Sequence, residues 1–339
     1  MNNNSSDYYA TLSDLTRSNT ILLSYFTCLI SLLVNIFSIY LIGSRGKRES
    51  RNYKCALIFS QLALFIPQFY LGIFLCILSV FPFPAFIPFG LLKDFVPIVI
   101  LCAVWAAMLP FYIVSMLTVS IIRIHSIVRP ESIFNIKISI QYTLLIIYVI
   151  ILIISFENIA FRLYLPHEAM ELFIFQNFPR YFYIAKSNNP IIFSDSTMDI
   201  FANTVYIIVL IMIVSFSLVR YIVYYEIRMQ ITKMSITKRK YHQKLAKDSA
   251  VQIIVKLLCI AAYPVWVAVS HNFSKEIDTI SLTCLFHTIF IAAPIPATII
   301  MFFQNPAYLS KIRKILGMKT SKDQKFPAVI IAIQTISTC

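Results

Sequence analysis

Glycine is almost missing from this chain, at 5 of 339 residues. That rules out close helix crossings of the small-xxx-small type, built on glycine, as the main packing device. Bulkier side chains are expected to form the helix contacts instead. Charge is also scarce. Asp, Glu, Lys and Arg make up 13% of the residues and hydrophobic residues 59%, where a soluble domain carries about 25% charge. With a mean hydropathy of +0.78, a soluble domain is excluded and a polytopic membrane protein is indicated. The net charge of +14 therefore points to membrane lipid and no nucleic acid, because the basic residues sit in a few loops.

Catalytic patterns are absent too. No HExxH, no Ser–His arrangement and no paired Asp falls within an apolar run, and no Gly-rich phosphate loop occurs. Of the five His residues, His125, His167, His242 and His271 lie outside the runs and only His287 lies in one. The chain is not expected to be an enzyme, and no metal or cofactor is implied. Cys28, Cys55, Cys76, Cys102, Cys259, Cys284 and Cys339 lie mostly in apolar runs without zinc spacing. They read as buried free thiols rather than a disulfide framework. The first apolar run is too long for the core of a cleavable signal and reads as a signal anchor.

What is present is seven apolar runs, near 19–42, 53–80, 95–122, 139–161, 200–223, 249–270 and 279–303. Most of the Lys and Arg fall in the alternate loops and the tail that would face the cytoplasm. The sequons at Asn3, Asn4 and Asn272 all fall on the opposite side, as glycosylation requires. The fold class expected is an all-α membrane protein: a seven-transmembrane helix bundle with the N-terminus outside and an amphipathic helix after the seventh span. The chain divides into an extracellular N-terminus (1–18), the bundle (19–303), the interfacial helix (304–317) and a cytoplasmic tail (318–339). In the interfacial helix Tyr308, Leu309, Ile312, Ile315 and Leu316 share one face and Lys311, Arg313 and Lys314 the other.

Pro67, Pro110 and Pro264 are expected to break or kink the second, third and sixth spans. The Pro-rich FPFPAFIPFG (81–90) cannot be helical. The third inner loop, the most basic stretch, is expected to continue helices five and six into the cytosol. In the tail, FPAVIIAI (326–333) is too short to span, and Cys339 as the last residue does not fit prenylation.

Few residues carry chemistry. Trp105 precedes Arg123 by five helical turns, so both lie on one face of helix three, with Met108 and Tyr112 between them. Helix six offers Tyr263 and Trp266 around Pro264, helix five Asn203 and Tyr206, and helix seven His287 and Phe290. Aromatics converging from the outer halves of several helices, with few polar groups among them, would line a pocket for a small, mostly apolar ligand. The same residues also read as ordinary packing. No Asp on the outer half of helix three speaks against an amine ligand.

Two charges stand out within apolar runs, where each costs at least ~2.5 kcal/mol. Glu157 reads as a pocket residue or as a partner of Arg162. Lys256 reads as snorkelling to the inner interface or as a gating contact. At the inner face, Arg123, Arg129, Lys238, Arg239 and Lys244 are the candidate contacts for a partner. Topology and anionic lipid account for their charge equally well.

The chain resembles nematode serpentine chemoreceptors, most closely the class H (Srh) group and its class I relatives in the Str superfamily, from about Asn19 to Leu316. The marks are FPFPAFIPFGLLKDF, PHEAMELFIFQNFPRY, the stretch from Gln243-Lys244-Leu245 to Gln252 leading into helix six, and MFFQNPAYLSKIRKI. The resemblance implies a G-protein-coupled receptor of the sensory-neuron plasma membrane that detects small molecules and signals to a heterotrimeric G protein. A weaker similarity to rhodopsin-like receptors rests on Arg123, Ile127-Val128 and Pro130, which match the spacing of that family's Asp-Arg-Tyr motif. Here Ile122 replaces the acid and Ile124 the Tyr, so the motif's Arg–acid restraint is missing. Helix two has no acidic residue for a sodium site, and the long outer loop has no Cys for a disulfide to helix three. Tyr308 comes one residue too early for Asn-Pro-x-x-Tyr. A ligand-gated channel or transporter with seven spans is the alternative, for which the spans offer few polar residues.

Overall fold

The computed structural model describes residues 14–44, 51–79, 85–125, 127–162, 172–176, 191–193, 195–230, 235–270 and 279–317. The sequons at Asn3, Asn4 and Asn272 and the tail from 318 lie outside the described residues. The helices are α1 (Asp14–Gly43), α2 (Arg51–Phe69), α3 (Ile98–His125), α4 (Ile138–Arg162), α5 (Asp195–Gln230), α6 (Ile236–Ser270), α7 (Ile280–Ile291), α8 (Pro294–Gln304) and α9 (Pro306–Ile315). α1 to α6 are long and apolar enough to cross a bilayer. The seventh crossing is broken: α7 and α8 meet at an angle of 44°, at the Ala292-Ala293 link just before Pro294. Neighbours pack in chain order around a ring, and α3 also touches α5 across it.

The packing of α1 differs from expectation. Its buried residues include Ser24, Thr27, Ser31, Asn35 and Ser38, at helical spacing, while Leu22, Phe26, Leu33, Ile36 and Tyr40 are exposed. The helix is inside-out relative to one in water. Its small polar side chains face the bundle and its large apolar ones the lipid. Ser and Thr supply the close approach that the scarce glycines cannot.

The second span also departs from the sequence reading, which carried the helix to Val80. Pro67 sits inside α2 without ending it. The chain then widens into a π-helix over Tyr70–Leu75 and stops at Cys76, whose backbone is left-handed (φ 36°). The cause is a return strand. β1 (Ile77–Ser79) pairs antiparallel with β2 (Ala85–Pro88), putting Ile77 opposite Pro88 and Ser79 opposite Phe86. β2 in turn pairs with β3 (Ile191–Ile192). Main-chain bonds from Phe89 N to Cys76 O (2.8 Å) and from Leu91 N to Ile73 O (3.0 Å) continue the zipper onto the π-turn. This small sheet, with Leu78, Ala85, Ile87 and Ile192 fully buried, closes one end of the bundle, called the sheet end below. As expected, the Pro-rich segment is not helical over its described part.

Two glycines are fixed by this arrangement. A Cβ on Gly72 would lie 2.4 Å from Cys28 Sγ, and one on Gly90 2.1 Å from the Phe74 carbonyl oxygen. The first neighbour is a side chain, the second is backbone held in the zipper. Gly90→Ala is therefore expected to destabilise the protein more than Gly72→Ala, by about 1–3 kcal/mol or more. Thermal unfolding of the detergent-purified chain checks the order; equal midpoints for the two variants would contradict it.

The opposite end carries the basic residues and is called the basic end. α5 (36 residues) and α6 (35 residues) are longer than a bilayer needs, so both extend beyond it as expected. Asn305 is extended and Pro306 opens α9, so Asn-Pro starts the amphipathic helix. Tyr308 is buried with Leu41, Ile42, Leu57, Met301 and Phe302. Lys311 donates to Ser44 Oγ and lies 5.0 Å over the Tyr40 ring. The helix is thus stapled to the end of α1.

Candidate functional site

Four of the residues expected to line a pocket form one aromatic cluster. The Trp105 and Phe290 rings meet edge-on at 6.0 Å. Tyr263 meets Phe290 at 5.7 Å and His287 at 5.1 Å. Tyr112 is buried on the same face of α3, two turns from Trp105, and Met108 between them is half-buried. The periodicity of α3 and α7 explains the gathering: Trp105 and Tyr112 are seven residues apart, and His287 and Phe290 three.

The cluster holds polar atoms without partners. Trp105 Nε1, Tyr112 Oη and both ring nitrogens of His287 have no hydrogen-bond partner, although His287 is only 2% exposed. A buried polar atom left unpaired costs about 1–3 kcal/mol, and native interiors hold few of them. Two buried donors and an imidazole in and beside a set of aromatic rings are the complement of a compact apolar molecule with one or two hydrogen-bonding groups. Tyr263 is different: its hydroxyl is hydrogen-bonded to Ser79 Oγ of β1.

The other expected pocket residues stand apart. Trp266 donates to Thr283 Oγ1 (2.9 Å) and stacks on Phe286 at 4.9 Å, so it fastens α6 to α7. Glu157 is half-buried on α4. Asn203 and Tyr206 are exposed on α5, whose inward stripe is instead Met198, Ala202, Ile208, Met212 and Phe216. The structure does not bring these two to the cluster. α5 is apolar nearly all round, so the sequence held no signal for which face turns inward.

The basic end contains an arrangement that the sequence reading missed. Glu226, on α5, is completely buried. Arg129 donates to its Oε2 from Nε (3.1 Å) and from the backbone N–H (3.4 Å), and the Ser132 hydroxyl donates to Oε1. The hydrogen bond to Glu226 raises the pKa of the Arg129 guanidinium further. Gln230 Nε2 donates to Ile127 O at 2.6 Å, and Phe134 meets Tyr225 edge-on at 5.9 Å. Together these contacts fasten the loop after α3 to the end of α5. The Arg–acid restraint expected to be missing is thus present between different residues. A single acid, Glu226, in an otherwise basic and apolar stretch was the available signal. Lys244 is exposed. Arg123, Lys238 and Arg239 are on helix backbone, and their side chains lie outside the described residues.

Lys256 does not snorkel. It is 9% exposed and turned into the bundle, where its Nζ donates to Ser60 Oγ of α2 at 3.0 Å. It borders a cavity of about 20 Å³ between α2, α3, α6 and α8, room for one water-sized guest.

A family model described as "Serpentine type 7TM GPCR chemoreceptor Srh" matches residues 16–318. No curated protein sequence matches the chain. Among solved structures, squid rhodopsin superposes with a TM-score of 0.56 at 15% identity, over 94% of this chain and 95% of that one. At that identity the likeness is one of fold.

Proposed function

The chain belongs to the Srh family of serpentine seven-transmembrane chemoreceptors, which are G-protein-coupled receptors and not enzymes, and on that premise we propose how its two ends divide the work. The sheet end faces outward with the N-terminus, in the plasma membrane of a sensory neuron. A small, mostly apolar molecule binds among Trp105, Tyr112, Tyr263, His287 and Phe290. The basic end faces the cytoplasm and presents Arg123, Arg129, Lys238, Arg239 and Lys244 to a heterotrimeric G protein. Pro264 follows Tyr263 of the ligand cluster within α6, so a ligand that fits one setting of α6 at that proline better than another shifts the populations of the two.

The observation that carries the reading is the set of unpaired polar atoms on Trp105, Tyr112 and His287 within an aromatic cluster. A ligand that pairs with them removes a cost the empty receptor bears.

The test is a reporter cell expressing the chain with a promiscuous Gα, screened against a panel of small odorants after surface delivery is confirmed. A ligand-dependent response is expected. Once a ligand is found, His287→Phe keeps the ring and removes both nitrogens, and its half-maximal concentration should rise about tenfold. An unchanged dose–response curve in both His287→Phe and Trp105→Phe would place the ligand elsewhere. A current that needs no G protein would favour a channel.

A further inference from the structure

Asn203, which the ligand cluster leaves outside, belongs to an ordered stripe on the outer face of α5. Asn203, Ile207, Leu210, Val214, Ser217 and Tyr221 follow one another at steps of four and three residues. All six are exposed. They lie within the stretch of α5 long and apolar enough to cross a bilayer, Ser196–Gln230. Steps of four and three average 3.5 residues. That period keeps one stripe of a helix against one stripe of a neighbour over several turns, in a left-handed crossing.

Exposure at this spacing by itself says only that lipid reaches the stripe. α1 shows as much: Leu22, Phe26, Leu29, Leu33 and Ile36 are exposed at the same steps, and all are apolar. α5 differs by two polar side chains. Asn203 and Ser217 stand two full repeats apart on one line of the stripe. Other exposed hydroxyls of α4 and α5 bond back to their own helix. Thr143 donates to Ser139 O (3.0 Å), Ser155 to Ile151 O (2.8 Å) and Thr204 to Ile200 O (2.8 Å). Asn203 and Ser217 have no such bond among the described residues. In hydrocarbon there is no water to pair with them, so both are presented outward for a partner that can.

We propose that this stripe of α5 is the contact face for a second copy of the chain, in a parallel twofold dimer registered by Asn203 and Ser217. Copies in one membrane cross it in the same direction, so the twofold axis of a pair runs along the membrane normal and two α5 helices meet in parallel. Residues on the seam then face their own counterparts. A carboxamide is complementary to itself: its oxygen accepts and its N–H₂ donates, so the two Asn203 side chains bond each other. The two Ser217 hydroxyls do the same, and their small side chains let the backbones approach. Ile207, Leu210 and Val214 interdigitate between them. A polar position in an apolar seam fixes register and partner, and two such positions fix both twice, since a slip of one turn leaves every one of these groups unpaired. The dimer is independent of the ligand and G-protein readings above.

The experiment uses the full chain in membranes, with Cys55 and Cys339 replaced by Ser. Single cysteines are introduced on the stripe (Leu210→Cys, Ser217→Cys), about a quarter turn away on the same helix (Ile211→Cys, Leu218→Cys) and on the exposed face of α1 (Leu33→Cys). Under mild oxidation the two stripe variants should form covalent dimers several-fold faster than the other three, all of which are also exposed. Equal rates at the five positions mean random collision, and a faster rate at Leu33 means a different face; either overturns the proposal. Pairing without cross-links is then read by energy transfer between labelled copies in liposomes of increasing lipid dilution. Asn203→Leu should need a several-fold higher protein density for half the pairing, and Asn203→Gln, which keeps the carboxamide, should lose less. No pairing at any density, or pairing that Asn203→Leu leaves unchanged, overturns the proposal, the stripe then being covered by lipid or joined without its polar groups.

Discussion

Replacing Glu226 with Gln is expected to raise ligand-independent signalling by about fivefold or more, at equal surface density of the receptor. The side chain keeps its size, but the two oxygens that accept from Arg129 and Ser132 become one oxygen and one N–H₂. That N–H₂ then faces a donor. A buried carboxylate with three donors is a strong restraint because each hydrogen bond to it is charge-assisted. Its loss frees the loop from Arg129 to Asn135 from the end of α5. The measurement is basal reporter output against surface density, with ligand response recorded in the same cells. The double exchange Arg129→Glu with Glu226→Arg should return the output toward the wild-type level. Basal output that stays flat in Glu226→Gln would show that this fastening does not oppose signalling.

The second large effect is expected at Arg123. Arg123→Ala should abolish G-protein signalling while surface delivery and ligand binding persist. The residue is on the last turn of α3. Its neighbour Ile124 is buried in the bundle, and the Ile127 carbonyl is held by Gln230 of α5. The Arg123 backbone thus sits at the basic end, where α3 gives way to the fastened loop. Shortening one side chain on the last turn of a helix, with the buried Ile124 left in place, takes little from the core, so the fold should survive. The ligand response of the variant, read together with surface labelling, separates the two outcomes. A retained ligand-driven response sinks the role given to Arg123.

The crossings were legible because a crossing is a local sum: about 20 apolar residues in a row announce themselves. The amphipathic helix after Asn305-Pro306 was legible for the same reason, its two faces being written within ten residues. Pairings between distant positions were not. Ser60 and Lys256 are 196 residues apart, and Arg129 and Glu226 are 97 apart. The sheet joins Ala85 to Ile192, and no alternation within a four-residue strand gives that away. Trp105, Tyr263, His287 and Phe290 were singled out because they are aromatic or imidazole rings within the apolar runs of α3, α6 and α7, and the structure brings these four rings together. Asn203 and Tyr206 were misplaced because α5 offers apolar residues on every side. α1 shows the same difficulty from another angle. In lipid the polar stripe from Ser24 to Ser38 faces inward, the reverse of the rule that serves in water.

The hydroxyl–hydroxyl contact between Ser79 and Tyr263 bears on how chimeric receptors should be cut. Tyr263 precedes Pro264 in α6, and Ser79 ends β1. The hairpin that follows α2 is therefore not an exchangeable cap. Grafting a relative's hairpin without a hydroxyl at position 79 would strand the Tyr263 phenol, which is 3% exposed, beside the proline. Swaps that aim to transfer ligand preference should move the hairpin and the α6 segment around Pro264 as one unit.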